Sequence, residues 1–118
     1  QCGGQLSDIG LALQQSVADL RKTTSRLLAD YAENRDAVMG KAFDYLMQVG
    51  YVMGAWHMAR SAVVSAAQVA RGNDNPFYAQ KLGTARFYME NILPRTRAYA
   101  ALILDSGPAL TDYPEGWL

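Results

Sequence analysis

DAVMGKAFDYLMQVGYVMGAWHMARSAVVSAAQVARG, running from Asp36 to Gly72, contains no proline and reads as one long helix. Apolar or small residues recur at Val38, Ala42, Tyr45, Val49, Val52, Trp56, Ala59, Val63, Ala66 and Ala70. Steps of three and four are the seam of a helix packed lengthwise on partner helices. A second row, Phe43, Leu46, Met47, Met53 and Met58, widens the apolar arc. Between Asp44 and Arg60 only His57 is ionisable apart from Tyr45 and Tyr51, so most of that circumference needs cover. The run is interrupted by Gln48, Gly50, Gly54 and His57. It therefore falls short of the roughly 20 apolar residues of a membrane span. Trp56, on the seam, is expected in the core, where truncation to alanine costs about 3–5 kcal/mol.

The chain around this helix has 118 residues, half of them hydrophobic, and a formal net charge of zero. That length suits one domain with a real core, residues 1–118. Balanced charge gives no reason to expect nucleic acid or an anionic membrane as partner. Cys2 is the single cysteine, so no internal disulfide forms and nothing argues for secretion. No signal-peptide pattern is present, and a cytoplasmic location is the expectation. The sequence opens QCGG without methionine, which suggests a piece of a longer protein.

The flanks read as two more helices. Ser7 and Asp8 suit a helix start. A seam through Ile9, Leu13, Ser16 or Val17, Leu20, Thr24, Leu27 and Tyr31 carries that helix over about 7–31. After a short break at Ala32 to Arg35, Asp36 is the candidate cap of the middle helix, about 36–71. Its end at Arg71-Gly72 puts glycine in the left-handed position. Asn75-Pro76 then opens a third helix over about 76–105, with Asn75 as cap and proline at the first helical position. Its seam is Tyr78, Leu82, Ala85, Met89, Ile92, Thr96, Tyr99 and Ile103. Pro94 lies inside this pattern, so a bend near Glu90 to Pro94 is expected with the register kept. Residues 106–118 form an aperiodic tail whose Tyr113, Trp117 and Leu118 are apolar enough to dock. The fold class is all-α: an up-down bundle of three long antiparallel helices, completed to four or more by a partner.

Candidate sites are few. His57 is the only histidine, and a metal site needs several converging ligands. With no Glu-x-x-His pair, a di-iron bundle is excluded. His57 is read as packed or hydrogen-bonded, and Cys2 as having no catalytic part. Gly50 and Gly54 form a G-x-x-x-G face that lets another helix approach closely. Arg86 and Glu90, four apart, form a surface pair. No nucleophile elbow, P-loop, dinucleotide fingerprint or paired carboxylates occur. Catalytic, cofactor-binding and metal residues are therefore all expected to be none.

In the third helix, Tyr78-x-x-Lys81-Leu82-x-Thr84-Ala85-Arg86-Phe87-Tyr88-x-Glu90-x-x-Leu93-Pro94 resembles the signature of an extra C-terminal domain. That domain belongs to a bacterial branch of the acyl-CoA dehydrogenases, which includes enzymes resembling the methylmercaptopropionyl-CoA dehydrogenases. Tyr45-Leu46, Gly50, Gly54, Trp56 and Ala59 agree with its small-and-aromatic middle helix. The similarity covers roughly Leu6 to Leu104. The resemblance implies a parent oxidoreductase that binds FAD and removes two hydrogens from an acyl-CoA thioester, a glutamate taking the α-proton. None of Glu33, Glu90 or Glu115 matches that glutamate's motif, so the piece itself is expected to be inactive and without cofactor. Its implied partners are the catalytic domains of its own full-length chain.

A free-standing helical interaction or dimerisation module is the competing reading. The middle helix also has too wide an apolar arc for two neighbours to cover. Self-association as a two-fold homodimer is therefore expected, that symmetry being the commonest.

Overall fold

The computed structural model describes residues 2–105 of the chain. The tail, 106–118, on which the docking expectation falls, lies outside the described residues. Five α-helices follow one another: α1 (Cys2–Glu33), α2 (Arg35–Met39), α3 (Ala42–Ala70), α4 (Pro76–Phe87) and α5 (Thr96–Asp105). Between α4 and α5 lie a π-helical turn (Tyr88–Ile92) and a 3-10 turn (Leu93–Arg95).

Local chemistry sets these boundaries. α1 begins ahead of Ser7 because Leu6 and Ile9 pack on the core and draw the first turns into helix. Asn34, rather than Asp36, caps the next helix: its backbone is extended and its side chain accepts from the Ala37 N–H at 3.1 Å. The expected helix from Asp36 is interrupted by a turn at Gly40 and Lys41, where the Lys41 N–H bonds back to the Val38 carbonyl. Glycine has low helix propensity, and the turn sends the Lys41 ammonium to the Ile103 carbonyl, 2.7 Å away. α3 ends as the sequence proposes, with Gly72 at φ +83°. The Gly72 N–H bonds Val69 and the Asn73 N–H bonds Gln68, the paired bonds of a Schellman motif. Asn75 caps α4 through the Phe77 N–H at 3.0 Å, ahead of Pro76.

The helices form an all-α bundle packed antiparallel. α3 packs on both α1 and the α4–α5 arm, and α1 also meets the arm, Ile9 sharing a cluster with Met89 and Leu93. Against α1, Thr23 meets Gln48 at 2.9 Å and Thr24 meets Tyr45 at 2.7 Å, while Ile9 joins the core cluster containing Ala62. Against the arm, Ile103 lies beside Lys41, Tyr99 stacks on Tyr51, and Tyr88 donates to the Tyr51 carbonyl at 2.7 Å.

The buried face of α3 is Gln48, Val52, Ala55, Ala62, Ser65 and Ala66. Val52 and Ala66 belong to the seam read from sequence, but Trp56 and Val63 do not face the core. Trp56 is 42 % exposed, which corrects its assignment to the interior. α3 is apolar on nearly all sides, so hydrophobicity alone does not choose the inward arc. Size chooses it: two helices converging on a third leave room for alanine and serine, and the bulky residues turn to the open side.

At Pro94 the helix neither stops nor runs on unchanged. Proline supplies no N–H and crowds the preceding turn. The chain answers with a wide π turn followed by a tight 3-10 turn, and the Asn91 side-chain amide donates to the Phe87 carbonyl at 3.1 Å. The core face stays in phase: Leu82, Ala85, Met89, Leu93, Thr96, Ala100 and Ile103 are all buried.

The bundle is a slab of 66 × 25 × 15 Å with a radius of gyration of 18.7 Å. A compact domain of this length has a radius of about 13.5 Å. The exposed surface is 7899 Å². A compact monomer of this mass exposes about 6,300 Å².

Candidate functional site

The side of α3 turned away from its two partners is apolar and exposed. Leu46, Met53, Trp56, Val63 and Val64 are exposed there, with Arg60 the one charged side chain on the same arc. Two grooves flank this ridge, one toward each neighbouring helix.

The groove toward α1 measures about 510 Å³. Its walls are Leu27, Leu28 and Tyr31 of α1, Val38 and Met39 of α2, and the α3 residues from Ala42 to Val49 that face it. Apart from the tyrosine hydroxyls these side chains offer no hydrogen-bonding group, so the groove suits apolar side chains of a protein surface.

The groove toward α4 measures about 450 Å³ and has a different chemistry. Trp56, His57, Arg60 and Ser65 of α3 face Phe77, Tyr78 and Lys81 of α4. The Arg60 guanidinium lies over the Trp56 ring, 5.0 Å from its centre, and the His57 ring meets that indole edge-on. Phe77 and Tyr78 are themselves edge-to-face at 5.4 Å. No acidic residue lines this groove. The ion pairs among the described residues are Arg26–Asp30 and Arg86–Glu90, so neither Arg60 nor Lys81 is neutralised by one of those carboxylates. Ser65 is 2 % exposed, yet its hydroxyl has no hydrogen-bond partner among the described residues. By contrast, Ser16, Thr23, Thr24, Thr84 and Thr96 all bond back to a carbonyl three or four residues earlier.

A smaller cleft of about 260 Å³, beside Pro94, brings Asp19 and Gln15 of α1 near Arg97.

His57 is exposed and lies outside the core, packing edge-on against the neighbouring Trp56 ring. Gly50 and Gly54 do not act as a pair. A β-carbon at Gly50 would meet nothing within 4 Å, whereas at Gly54 it would strike the Tyr88 ring. Arg86 and Glu90 form a surface pair at 2.9 Å, and the hydrogen bond that Arg86 donates to the Glu90 carboxylate, then that carboxylate's charge, raises the Arg86 pKa. Burial, then Tyr51, pushes the Tyr88 phenol up. Sequence reasoning missed the α3–α4 groove. Its trace was an aromatic residue four before a cation on both helices, Trp56 with Arg60 and Phe77 with Lys81.

Among the described residues, no three His, Cys, Asp or Glu side chains gather to hold a metal ion. No described helix is long and apolar enough to cross a membrane. What the fold defines is a helical domain with an uncovered face. The chain belongs to the acetyl-CoA dehydrogenase C-terminal-like family, whose sequence pattern it matches over residues 2–114. It is 28 % identical over 114 residues to a 3-methylmercaptopropionyl-CoA dehydrogenase of Ruegeria pomeroyi. The match takes in 91 % of this chain and 19 % of that relative, so the chain spans about one fifth of the relative's length. No solved structure matches it.

The FAD that the sequence resemblance implies for a parent enzyme does not fit the described donors. The apolar groove offers nothing for a pyrophosphate. The α3–α4 groove has walls for one ring and one charged group, not for the two ring systems of FAD.

Proposed function

We propose that this chain is a non-catalytic helical domain of an FAD-dependent acyl-CoA dehydrogenase-like oxidoreductase, whose catalytic body it packs against and whose subunit association it shapes. The observation that carries the reading is the row of exposed apolar side chains on the open side of α3. Its ridge, Leu46, Met53 and Val63, and the adjoining apolar groove have the make-up of a buried interface core. Family membership and the relative's length support a larger parent protein.

The test uses Leu46→Glu and Met53→Glu in the full-length protein that carries this segment, and the 118-residue chain alone. The charged variants are expected to lower the parent's thermal midpoint and subunit association while leaving helix content unchanged. The isolated chain is expected to purify without flavin and to self-associate through the same face, with the variants monomeric by light scattering. Stoichiometric flavin on the isolated chain, or a parent indifferent to both charges, would overturn the reading.

A further inference from the structure

We propose that the groove between α3 and α4 is a nucleotide site: it takes a flat ring joined to a phosphate. This inference does not rest on the proposed function, and it concerns a different groove from the apolar one.

Three observations converge. The first is charge. Arg60 and Lys81 stand on opposite walls of a groove with no acidic lining residue, and neither joins an ion pair among the described residues. In a chain of zero net charge, this is a local positive site whose counter-charge is missing from the lining. Arg60 is held over the Trp56 ring, so its planar fork is ordered before an anion arrives. A phosphate accepts two parallel N–H bonds from such a fork and a third from the lysine.

The second is Ser65. A buried hydroxyl ordinarily finds a partner, and helical serine and threonine find it in the preceding turn. Five others in this chain do so, while Ser7, Ser25 and Ser61, which like Ser65 do not, are less buried than Ser65. Ser65 is 2 % exposed, lines the groove and leaves its hydroxyl unused. Gln48 Nε2 is the fully buried unpaired side-chain atom among the described residues, so the Ser65 oxygen keeps a narrow opening, and Ser65, as a lining residue, can donate to what enters the groove.

The third is shape. Phe77 and Tyr78 line the same groove, and about 450 Å³ is within the range of small-molecule sites. An inorganic anion leaves these aromatic walls uncovered. An uncharged ring leaves Arg60, Lys81 and Ser65 unmatched. A nucleotide answers both sets of groups.

The test is titration of the 118-residue chain with ADP, adenosine and inorganic phosphate, followed by amide NMR shifts and calorimetry. ADP is expected to bind saturably, shifting amides of Trp56 to Ser65 and Phe77 to Lys81. Adenosine and phosphate should each bind at least about tenfold more weakly, the equivalent of removing one charge-assisted hydrogen bond. Arg60→Gln and Lys81→Gln should each weaken ADP by a similar factor. Ser65→Ala separates binding from folding: it should weaken ADP while leaving the thermal midpoint unchanged or raised. The proposal fails if ADP does not saturate, if phosphate matches ADP, or if Ser65→Ala and Arg60→Gln bind ADP as the parent chain does.

Discussion

The Tyr88 side chain lies directly on Gly54, its hydroxyl donating to the Tyr51 carbonyl at 2.7 Å. A β-carbon on Gly54 would come within 3.0 Å of Tyr88 Cζ and closer still to the hydroxyl. The contact joins the middle of α3 to the π turn, so the glycine and the irregular turn are fitted to each other.

Gly54→Ala should therefore destabilise the chain. Alanine gains about 1 kcal/mol of helix propensity. Against this, overpacking costs about 1–3 kcal/mol and the displaced tyrosine loses a hydrogen bond of about 1 kcal/mol. A net loss of about 1–3 kcal/mol in urea unfolding is expected. Gly50→Ala meets open space and should gain about 0.5–1 kcal/mol. Equal effects at the two positions would contradict the assignment of close approach to Gly54 alone.

Trp56 and Ile103 make a second contrast. Trp56 is partly solvated, whereas Ile103 is wholly buried. Trp56→Ala should cost about 1 kcal/mol and Ile103→Ala about 2–5 kcal/mol. Denaturant midpoints of the two variants give the order, and a reversed order would return Trp56 to the core.

Thr23 and Gln48 are fully buried and hydrogen-bonded to each other, but Gln48 Nε2 has no partner. The Thr23 hydroxyl also lies 3.0 Å from the Leu20 carbonyl and has one proton to give. Turning the Gln48 amide lets Nε2 donate to the Thr23 oxygen while Thr23 donates to Leu20. Thr23→Val should cost about 1–3 kcal/mol, because it strands the glutamine. Thr23→Val with Gln48→Met removes both polar groups and should recover most of that loss. A double variant as unstable as the sum of the singles would show no coupling between them.

Alkaline stability should depend on Tyr88. Burial raises its pKa above the ordinary value of about 10, so the folded chain keeps the phenolic proton longer than the unfolded one. The stabilisation is fully present below about pH 10 and is lost as pH rises through the higher folded value. Tyr88→Phe should flatten the fall in thermal midpoint above pH 10. Superimposable pH curves for the two proteins would count against this role.

The antiparallel all-α bundle was legible because spacings of three and four recur along the chain, and the caps at Gly72 and Asn75 carry their own chemistry. The inward face of α3 was not. Its apolar residues cover the whole circumference, so Trp56 looked as good a core residue as Ala55 until two neighbours fixed how much space each had. Gly54 differs from Gly50 only through Tyr88, a residue far along the chain. The α3–α4 groove likewise exists only once Arg60 and Lys81 are brought to facing walls. Ser65 is informative only beside the serines and threonines that do bond back.

The two turns around Pro94 form a matched pair. The first is underwound and the second overwound, so their rotations offset, and the buried face continues into α5 at Thr96, Ala100 and Ile103. This makes the arm intolerant of changes in length. Deleting Asn91 alone would tighten the first turn and leave the second, swinging α5 by roughly one residue's rotation, about 100°. Ala100 and Ile103 would then leave the core, and the Ile103 carbonyl would move away from Lys41. A residue usually associated with ending helices thus fixes the spacing of everything that follows it.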